Sequence, residues 1–307
     1  VAVLTTSNLT MQFGAQRALA DVSIEVPSGV TGLVGANGAG KTTLMSIALG
    51  LRDQTQGAIR VLGLDPRQDG ATLRAMVGYG PERNVLPEDM PAFDFVKHLA
   101  EIRGMPRNEA RSRASDVLWL VGLGEERFRA LGTMSTGQRQ RVKLAQSIAA
   151  DPSFVLLDEP TDGLDPVQRD EMLALIRQIS EEFSIDVMLS SHLLEEVERV
   201  CDNIVALDAG VLVASGPLDE LVGDEDGLTV ELVAIDDRPD AVVQTLERLR
   251  GRGVEVELVD DTLHLRGTDR NALVDEVRDA IAASEARVRR IVNRRRTLED
   301  LFDRNAS

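Results

Sequence analysis

The chain of 307 residues is too long for one small module and too short for several, so one large domain with an appendage is expected. Hydrophobic residues at 43% and charged residues at 28% suit a globular chain with a sizeable core and exclude wholesale disorder. Acidic residues outnumber basic ones 51 to 34, a net charge of −17 that repels nucleic acid and anionic lipid unless basic groups cluster somewhere.

Cys201 is the single cysteine, which excludes an internal disulfide and makes a reducing compartment the simple assumption. No stretch approaches 18 uncharged apolar residues, and no basic-then-apolar leader opens the sequence. The expectation is a chain that neither crosses a membrane nor is exported, yet is free to sit against one by binding a protein that does cross. Richness in Ala, Val, Gly and Arg, with lysine only at Lys41, Lys97 and Lys143, has the flavour of a GC-rich bacterial genome.

Val1 to Phe13 carries β-type residues, and Val22 to Val26 alternates as a half-buried strand should. Pro27 to Gly29 is a turn. The apolar run Val30 to Val34 leads into a glycine-rich loop and then a helix from Lys41 to Leu49. Glu101 to Gly124 is expected to be helical, broken near Gly104-Met105-Pro106. A second helix starts near Gln138, with Val142, Ala145, Ile148 and Ala149 as its apolar stripe.

Phe154 to Leu157 and Val187 to Leu189 have the length of buried strands. Between them Met172, Leu175, Ile176 and Ile179 mark one helical face. Such alternation predicts an α/β fold with a parallel sheet covered by helices. Ile204 to Gly216 reads as two strands around an Asp-Ala-Gly turn. The charged stretch Gly223 to Gly227 is a linker candidate. Beyond it the order is β-α-β-β-α-β: Leu228 to Ala234, Pro239 to Leu249, Val254 to Val259, Thr262 to Leu265, Ala272 to Ala283 and Val288 to Val292, with a closing turn of helix at Leu298 to Phe302.

The predicted organisation is therefore a first domain over 1–222, a linker over 223–227 and a small α+β domain over 228–307.

Gly35 to Thr43, GANGAGKTT, matches the phosphate-loop pattern, and it lies after an apolar strand and before a helix, where such a loop works. Glycines let consecutive N–H groups curve around phosphates, and the helix start adds partial positive charge. Asn37, Gly38, Gly40, Lys41, Thr42 and Thr43 are the candidate nucleotide contacts. Lys41 is placed to reach the β- and γ-phosphates, and the Thr42 hydroxyl to help hold Mg²⁺.

Val155 to Pro160, VLLDEP, ends a strand in two carboxylates at the sheet edge beside that loop. Asp158 is the candidate Mg²⁺ ligand, through water, and Glu159 the candidate base for the attacking water. Ser135 to Gln138, at the start of an amphipathic helix, would by itself be an ordinary helix cap.

Taken together, these motifs resemble the ATP-binding cassette family of transporter ATPases. Met134 to Gln138 looks like its signature motif, Gly163 to Asp165 like its D-loop, and Ser190 to His192 like its switch histidine. The resemblance spans Val1 to about Val222 in the family's motif order. It implies a phosphate-loop NTPase cassette: a mixed-sheet core, N-terminal antiparallel strands, and a helical subdomain at about 83–150.

The resemblance also implies ATP and Mg²⁺ as cofactors and a head-to-tail dimer of two copies. Ser135, Gly137, Gln138 and Asp165 would then meet the partner's ATP, while His192 and Lys41 would serve the γ-phosphate of their own subunit. Phe13 stands where the family stacks an aromatic ring on adenine, and it is equally compatible with a core position.

Two positions depart from the pattern. Thr136 adds a side chain where the signature commonly has glycine. Glu82 stands in place of the glutamine that joins the metal site, still an oxygen ligand but an added negative charge.

The STG signature and the C-terminal domain ending in Thr297 to Phe302 resemble exporters whose membrane permease is a separate chain. Their usual cargo is drugs, antibiotics, lipids or polysaccharides, which implies a peripheral place at the cytoplasmic face of a bacterial membrane. Pro91, Phe93 and Phe95 lie where such cassettes dock their permease, or they form a local core. No nucleic-acid partner is expected. The competing readings are a soluble cassette uncoupled from transport and an ATP-binding regulatory scaffold.

Cys201 and Trp119 are expected to pack, and His98 and His264 to be structural. The six arginines of Arg287 to Arg296 are expected to form the wet face of a strand, the alternative being lipid head groups.

Overall fold

The computed structural model describes residues 2–82, 86–222, 224–233, 241–259, 262–266, 270–284, 286–295 and 297–303. Two units divide the chain: Val1–Leu218 with Leu301–Ser307, and Asp219–Asp300.

The first unit begins with β1 (Ala2–Phe13), β2 (Gln16–Pro27), β3 (Val30–Val34), α1 (Lys41–Ala48), β4 (Gln56–Val61), α2 (Gly70–Met76) and β5 (Val77–Gly80). It continues through α3 (Ala92–Ile102), α4 (Arg107–Leu120), α5 (Thr136–Ile148), β6 (Phe154–Leu157), α6 (Pro166–Phe183), β7 (Asp186–Ser191), α7 (Leu194–Val200), β8 (Asn203–Asp208) and β9 (Val211–Pro217), and the short α8 (Leu218–Leu221) spans the sequence boundary between the two units.

Strands β2, β1 and β4 make an antiparallel sheet in that order. A six-stranded sheet runs β5-β6-β7-β3-β8-β9, parallel except for the last strand. The residue types explain the difference. β3 and β6 are buried at every position, as continuous apolar strands with both faces covered must be. β2 alternates buried and exposed positions over its second half, so it offers one face to the core. Leu4, Leu9, Leu19, Leu33, Leu44, Ile47 and Phe154 join the two sheets and α1 in one core. Each such side chain contributes about 1.5–3 kcal/mol on burial.

This sheet order places the chemistry. Val34 pairs with Ser191, Leu157 with Leu189, and Gly80 with Leu157. The segments that leave β3, β5, β6 and β7 therefore emerge side by side at the carboxyl edge of the sheet, where open α/β sheets bind ligands.

The break expected near Gly104 separates α3 from α4, although α3 begins earlier than expected, at Ala92. Trp119 does not pack. It is 66% exposed, because the buried face of α4 is formed by Ala110, Ala114, Val117 and Leu118 and the next residue turns outward. The Arg127 guanidinium covers the Trp119 ring instead, 5.8 Å from its centroid. Cys201 is buried as expected, and burial raises its thiol pKa far above the usual range. His98, expected to be structural, is exposed.

The second unit contains β10 (Asp224–Val233), α9 (Ala241–Gly251), β11 (Glu255–Val259), β12 (Thr262–Arg266), α10 (Arg270–Ser284), β13 (Arg287–Arg295) and the start of α11 (Leu298–Asp303). Its sheet is antiparallel, in the order β11-β12-β10-β13. Leu228, Val230, Leu249, Leu263, Leu265, Leu273 and Val277 form its core.

The expected linker at 223–227 is corrected: from Asp224 onward it is the first part of β10, with Asp224 opposite Arg295 and Gly227 opposite Arg266. Main-chain pairing does not require an apolar period, so composition concealed the strand. On β13, Arg287, Arg289 and Arg290 are exposed while Val288 packs against the core. The side chains of Arg294, Arg295 and Arg296 lie outside the described residues.

Candidate functional site

Three glycines shape the loop between β3 and α1. Gly35, Gly38 and Gly40 have φ of 152°, 88° and 107°. A Cβ at Gly40 would stand 2.7 Å from the Ala18 carbonyl oxygen and from Leu19 Cδ2, so only glycine fits. A Cβ at Gly38 would meet nothing within 4 Å, which leaves that side of the loop open. Asn37 and Gly38 are exposed, and so is Thr42, one residue into α1. The first-turn N–H groups of a helix have no partner within it, so the loop offers donors around an open cradle.

Lys41 is buried. Its ammonium donates to the Gly35 carbonyl at 2.6 Å and stands 3.0 Å from Glu159 Oε1. That second contact is an ion pair without hydrogen-bond geometry, since Glu159 Oε1 has no hydrogen-bond partner. The other carboxylate oxygen, Oε2, lies 2.8 Å from His192 Nδ1. Lys41, Glu159 and His192 thus form one line of contacts from the phosphate loop to the end of β7.

Glu159 has φ of +48°, a left-handed conformation that costs a residue with a side chain about 1–3 kcal/mol. Ser190, fully buried, holds it there: its Oγ accepts from the Glu159 amide at 2.9 Å and donates to Asp158 Oδ1 at 2.7 Å. The sequence pattern gave Ser190 no role of its own.

The second Asp158 oxygen, Oδ2, is buried and has no hydrogen-bond partner. An orphaned carboxylate oxygen beside a phosphate cradle, with the Thr42 hydroxyl on the adjoining helix, fits a hard cation that takes few protein ligands and completes its shell with water and phosphate. Among the described residues no group of three or more His, Cys, Asp and Glu gathers as a self-sufficient metal nest.

Glu82 is exposed and engages through its main chain: its carbonyl oxygen accepts from Lys143 Nζ at 2.9 Å. Lys143 is buried on α5, and desolvation lowers its pKa to about 8 against the upward pull of Asp158, Asp162 and Glu82. Tyr79 at the end of β5 is raised to about 12 by burial, reinforced by Asp158 and Glu82. The same helix sends Gln140 Nε2 to the Asp162 carbonyl and Gln146 Nε2 to the Tyr79 carbonyl. Spacings of three residues put these donors on one helical face. The apolar stripe named from the sequence is a different face, so Gln140, Lys143 and Gln146 went unnoticed.

Ser135, Gly137 and Gln138 are not drawn into the Lys41–Glu159–His192 line. They open α5. Ser135 Oγ accepts from the Gln138 amide at 3.2 Å and Gln138 Oε1 accepts from the Ser135 amide at 3.0 Å, a reciprocal capping box. Gln138 also donates to Glu126. Thr136 is accommodated with its Cγ2 3.2 Å from where a Gly163 Cβ would be. Asp165 caps α6, accepting from the Gln168 amide at 2.9 Å, with Pro166 at the first helical position. Phe13 ends β1 with 40% exposure and carries the Arg52 guanidinium 5.2 Å above its ring, so it is not a core residue. Phe93 and Phe95 are half-buried, and the Phe93 ring lies 5.5 Å from that of Phe128.

The family profile described as ABC transporter matches residues 19–162. The bacitracin transport ATP-binding protein BcrA of Enterococcus faecalis is 33% identical over 220 residues, 71% of this chain and 70% of the relative. The methionine import ATP-binding protein MetN 2 of Yersinia pestis bv. Antiqua (strain Antiqua) is 34% identical over 212 residues, 67% of this chain and 65% of the relative. An ATP-binding cassette solved as a dimer in a post-hydrolysis state with ADP and phosphate superposes with a TM-score of 0.63 at 23% identity, covering 70% of this chain and 98% of that one.

The glycine-rich loop, the paired carboxylates and His192 thus meet in a chain that belongs to the ABC transporter family, as an ATP-binding cassette that hydrolyses ATP.

Proposed function

We propose that the chain is the motor subunit of an exporter, driving a separately encoded membrane permease from the cytoplasmic face of a bacterial membrane by ATP-driven closure of two copies. The observation that carries this reading is the continuous line Lys41–Glu159–His192 at the sheet edge, beside the unpartnered Asp158 Oδ2. The likeness to a bacitracin transport protein favours export of drugs or antibiotics, and lipids and polysaccharides remain in the class of cargo. No helix among the described residues is long and apolar enough to cross a membrane.

ATP enters with its triphosphate over Asn37 to Thr43, and Phe13 stacks on the adenine. The γ-phosphate displaces Glu159 from Lys41, freeing the carboxylate to take a proton from the attacking water while His192 holds Glu159 Oε2 and meets the γ-phosphate. Asp158 and Thr42, with Glu82 reachable at the edge, would hold Mg²⁺, which neutralises charge on the phosphates when bound. Ser135, Gly137, Gln138 and Asp165 of the second copy close over the same triphosphate. ADP cannot make those contacts, so hydrolysis reopens the pair.

Export is tested by copurifying the permease from the native host and reconstituting both in vesicles. ATP outside inverted vesicles is expected to drive cargo inward. Uptake in the opposite sense, or dependence on an external substrate-binding protein, refutes the exporter reading.

A further inference from the structure

Glu196 lies on α7 and is only 3% exposed. A carboxylate so buried needs partners, and it has three. Its Oε2 accepts from Thr161 Oγ1 at 2.8 Å and from Ser191 Oγ at 2.7 Å, both hydroxyls being buried themselves. Its Oε1 stands 3.0 Å from Arg169 Nε on α6, an ion pair without hydrogen-bond geometry.

The positions of these partners matter. Thr161 is two residues past Glu159 and opens the segment that leads to Asp165. Ser191 immediately precedes His192. Ser191 is further fixed by the Leu193 amide, which donates to its Oγ at 3.0 Å. One oxygen atom therefore ties the segment carrying Glu159 to the segment carrying His192, in addition to the contact between those two side chains.

We propose that Glu196 is a positioning residue: its carboxylate latches the Glu159 and His192 segments together so that base and switch histidine hold a common register during turnover, with Arg169 linking the latch to α6. It touches neither nucleotide nor reacting atoms, and acts through Thr161 and Ser191. The inference rests on the roles proposed above for Glu159 and His192.

The test uses the full chain and compares Glu196→Leu, which removes every contact, with Glu196→Gln, whose amide oxygen still accepts from both hydroxyls. Misplacement of a reacting group by about 1 Å costs up to ~100-fold, so the leucine variant is expected to lose at least about tenfold in kcat. Its KM for ATP should stay within about twofold, because the phosphate loop is untouched, and the glutamine variant should keep kcat within about threefold of wild type.

Hydrogen exchange gives a second readout. The amides of Asp162 and Leu164, bonded to the Glu159 and Thr161 carbonyls at 3.2 Å each, should exchange faster in Glu196→Leu, with α1 unchanged. Wild-type kcat in the leucine variant overturns the latch, as does a parallel loss of ATP affinity or exchange that rises throughout the unit. Should Glu196→Leu fail to fold, Thr161→Val with Ser191→Ala removes the same two bonds and is judged by the same outcomes. Unchanged turnover in Glu159→Gln would refute the assignment of Glu159, while the exchange measurement still decides the latch.

Discussion

Lys143 stands among carboxylates with a single hydrogen bond to the Glu82 carbonyl, and its depressed pKa has a measurable consequence. In the unfolded chain the amine holds its proton to an ordinary lysine pKa, 10.5; in the fold it gives the proton up near 8. Between those values the unfolded chain binds more protons, so stability rises with pH across that window. Below it both states are charged and the fold carries the net cost of burying the charge, desolvation less the pull of Asp158, Asp162 and Glu82, about 3 kcal/mol.

Lys143→Met keeps the length of the side chain and removes the charge. It also strands the Glu82 carbonyl, a loss of about 1 kcal/mol. The variant should therefore be more stable than wild type at pH 7 by about 2 kcal/mol, an advantage that disappears by about pH 10. Urea titrations at pH 7 and pH 10, followed by the fluorescence of the sole tryptophan, Trp119, report on the first unit alone. Tyr79, raised to about 12, acts with the opposite sign, since above its ordinary value of 10 the unfolded chain loses that proton first and stability falls. The difference between variant and wild type cancels this contribution. A Lys143→Met protein that is less stable at pH 7, by a margin that does not change with pH, refutes the reasoning.

Glu159→Gln should slow the hydrolytic step by about 10²–10⁴-fold while ATP still binds, measurable as phosphate release beside nucleotide affinity. Gly40→Ala forces a side chain into a φ of +107° against the Ala18 carbonyl, and should cost about 2–4 kcal/mol in denaturant titration together with ATP binding. Trp119→Ala removes a largely exposed ring, and its stability by circular dichroism should lie within about 1 kcal/mol of wild type.

What could be read from the sequence follows from how local each feature is. The phosphate loop, the strand ending in Asp158-Glu159 and the cap at Ser135 are contiguous stretches whose residue types state their backbone needs, and each lies where the sheet order requires it. β4 gave little signal, because only Ile59 and Val61 of its six residues are buried. Trp119 misled because an apolar neighbourhood says nothing about which way one residue faces. The Glu196 latch and the Lys143 bond were illegible for another reason: their partners are hydroxyls or main-chain carbonyls as far as 35 and 61 residues away, and such pairing leaves no periodic trace.

The cap on α5 has a further consequence. The Gln138 amide uses a lone pair of the Ser135 oxygen, not its hydrogen. The hydroxyl is thus held at a fixed place on an exposed helix tip with its proton still to give, and an approaching anion finds a donor already aimed by its own backbone. In the proposed closed pair little torsional freedom would be left to freeze when a neighbour's charge arrives, so the encounter would draw on order laid down when the chain folded.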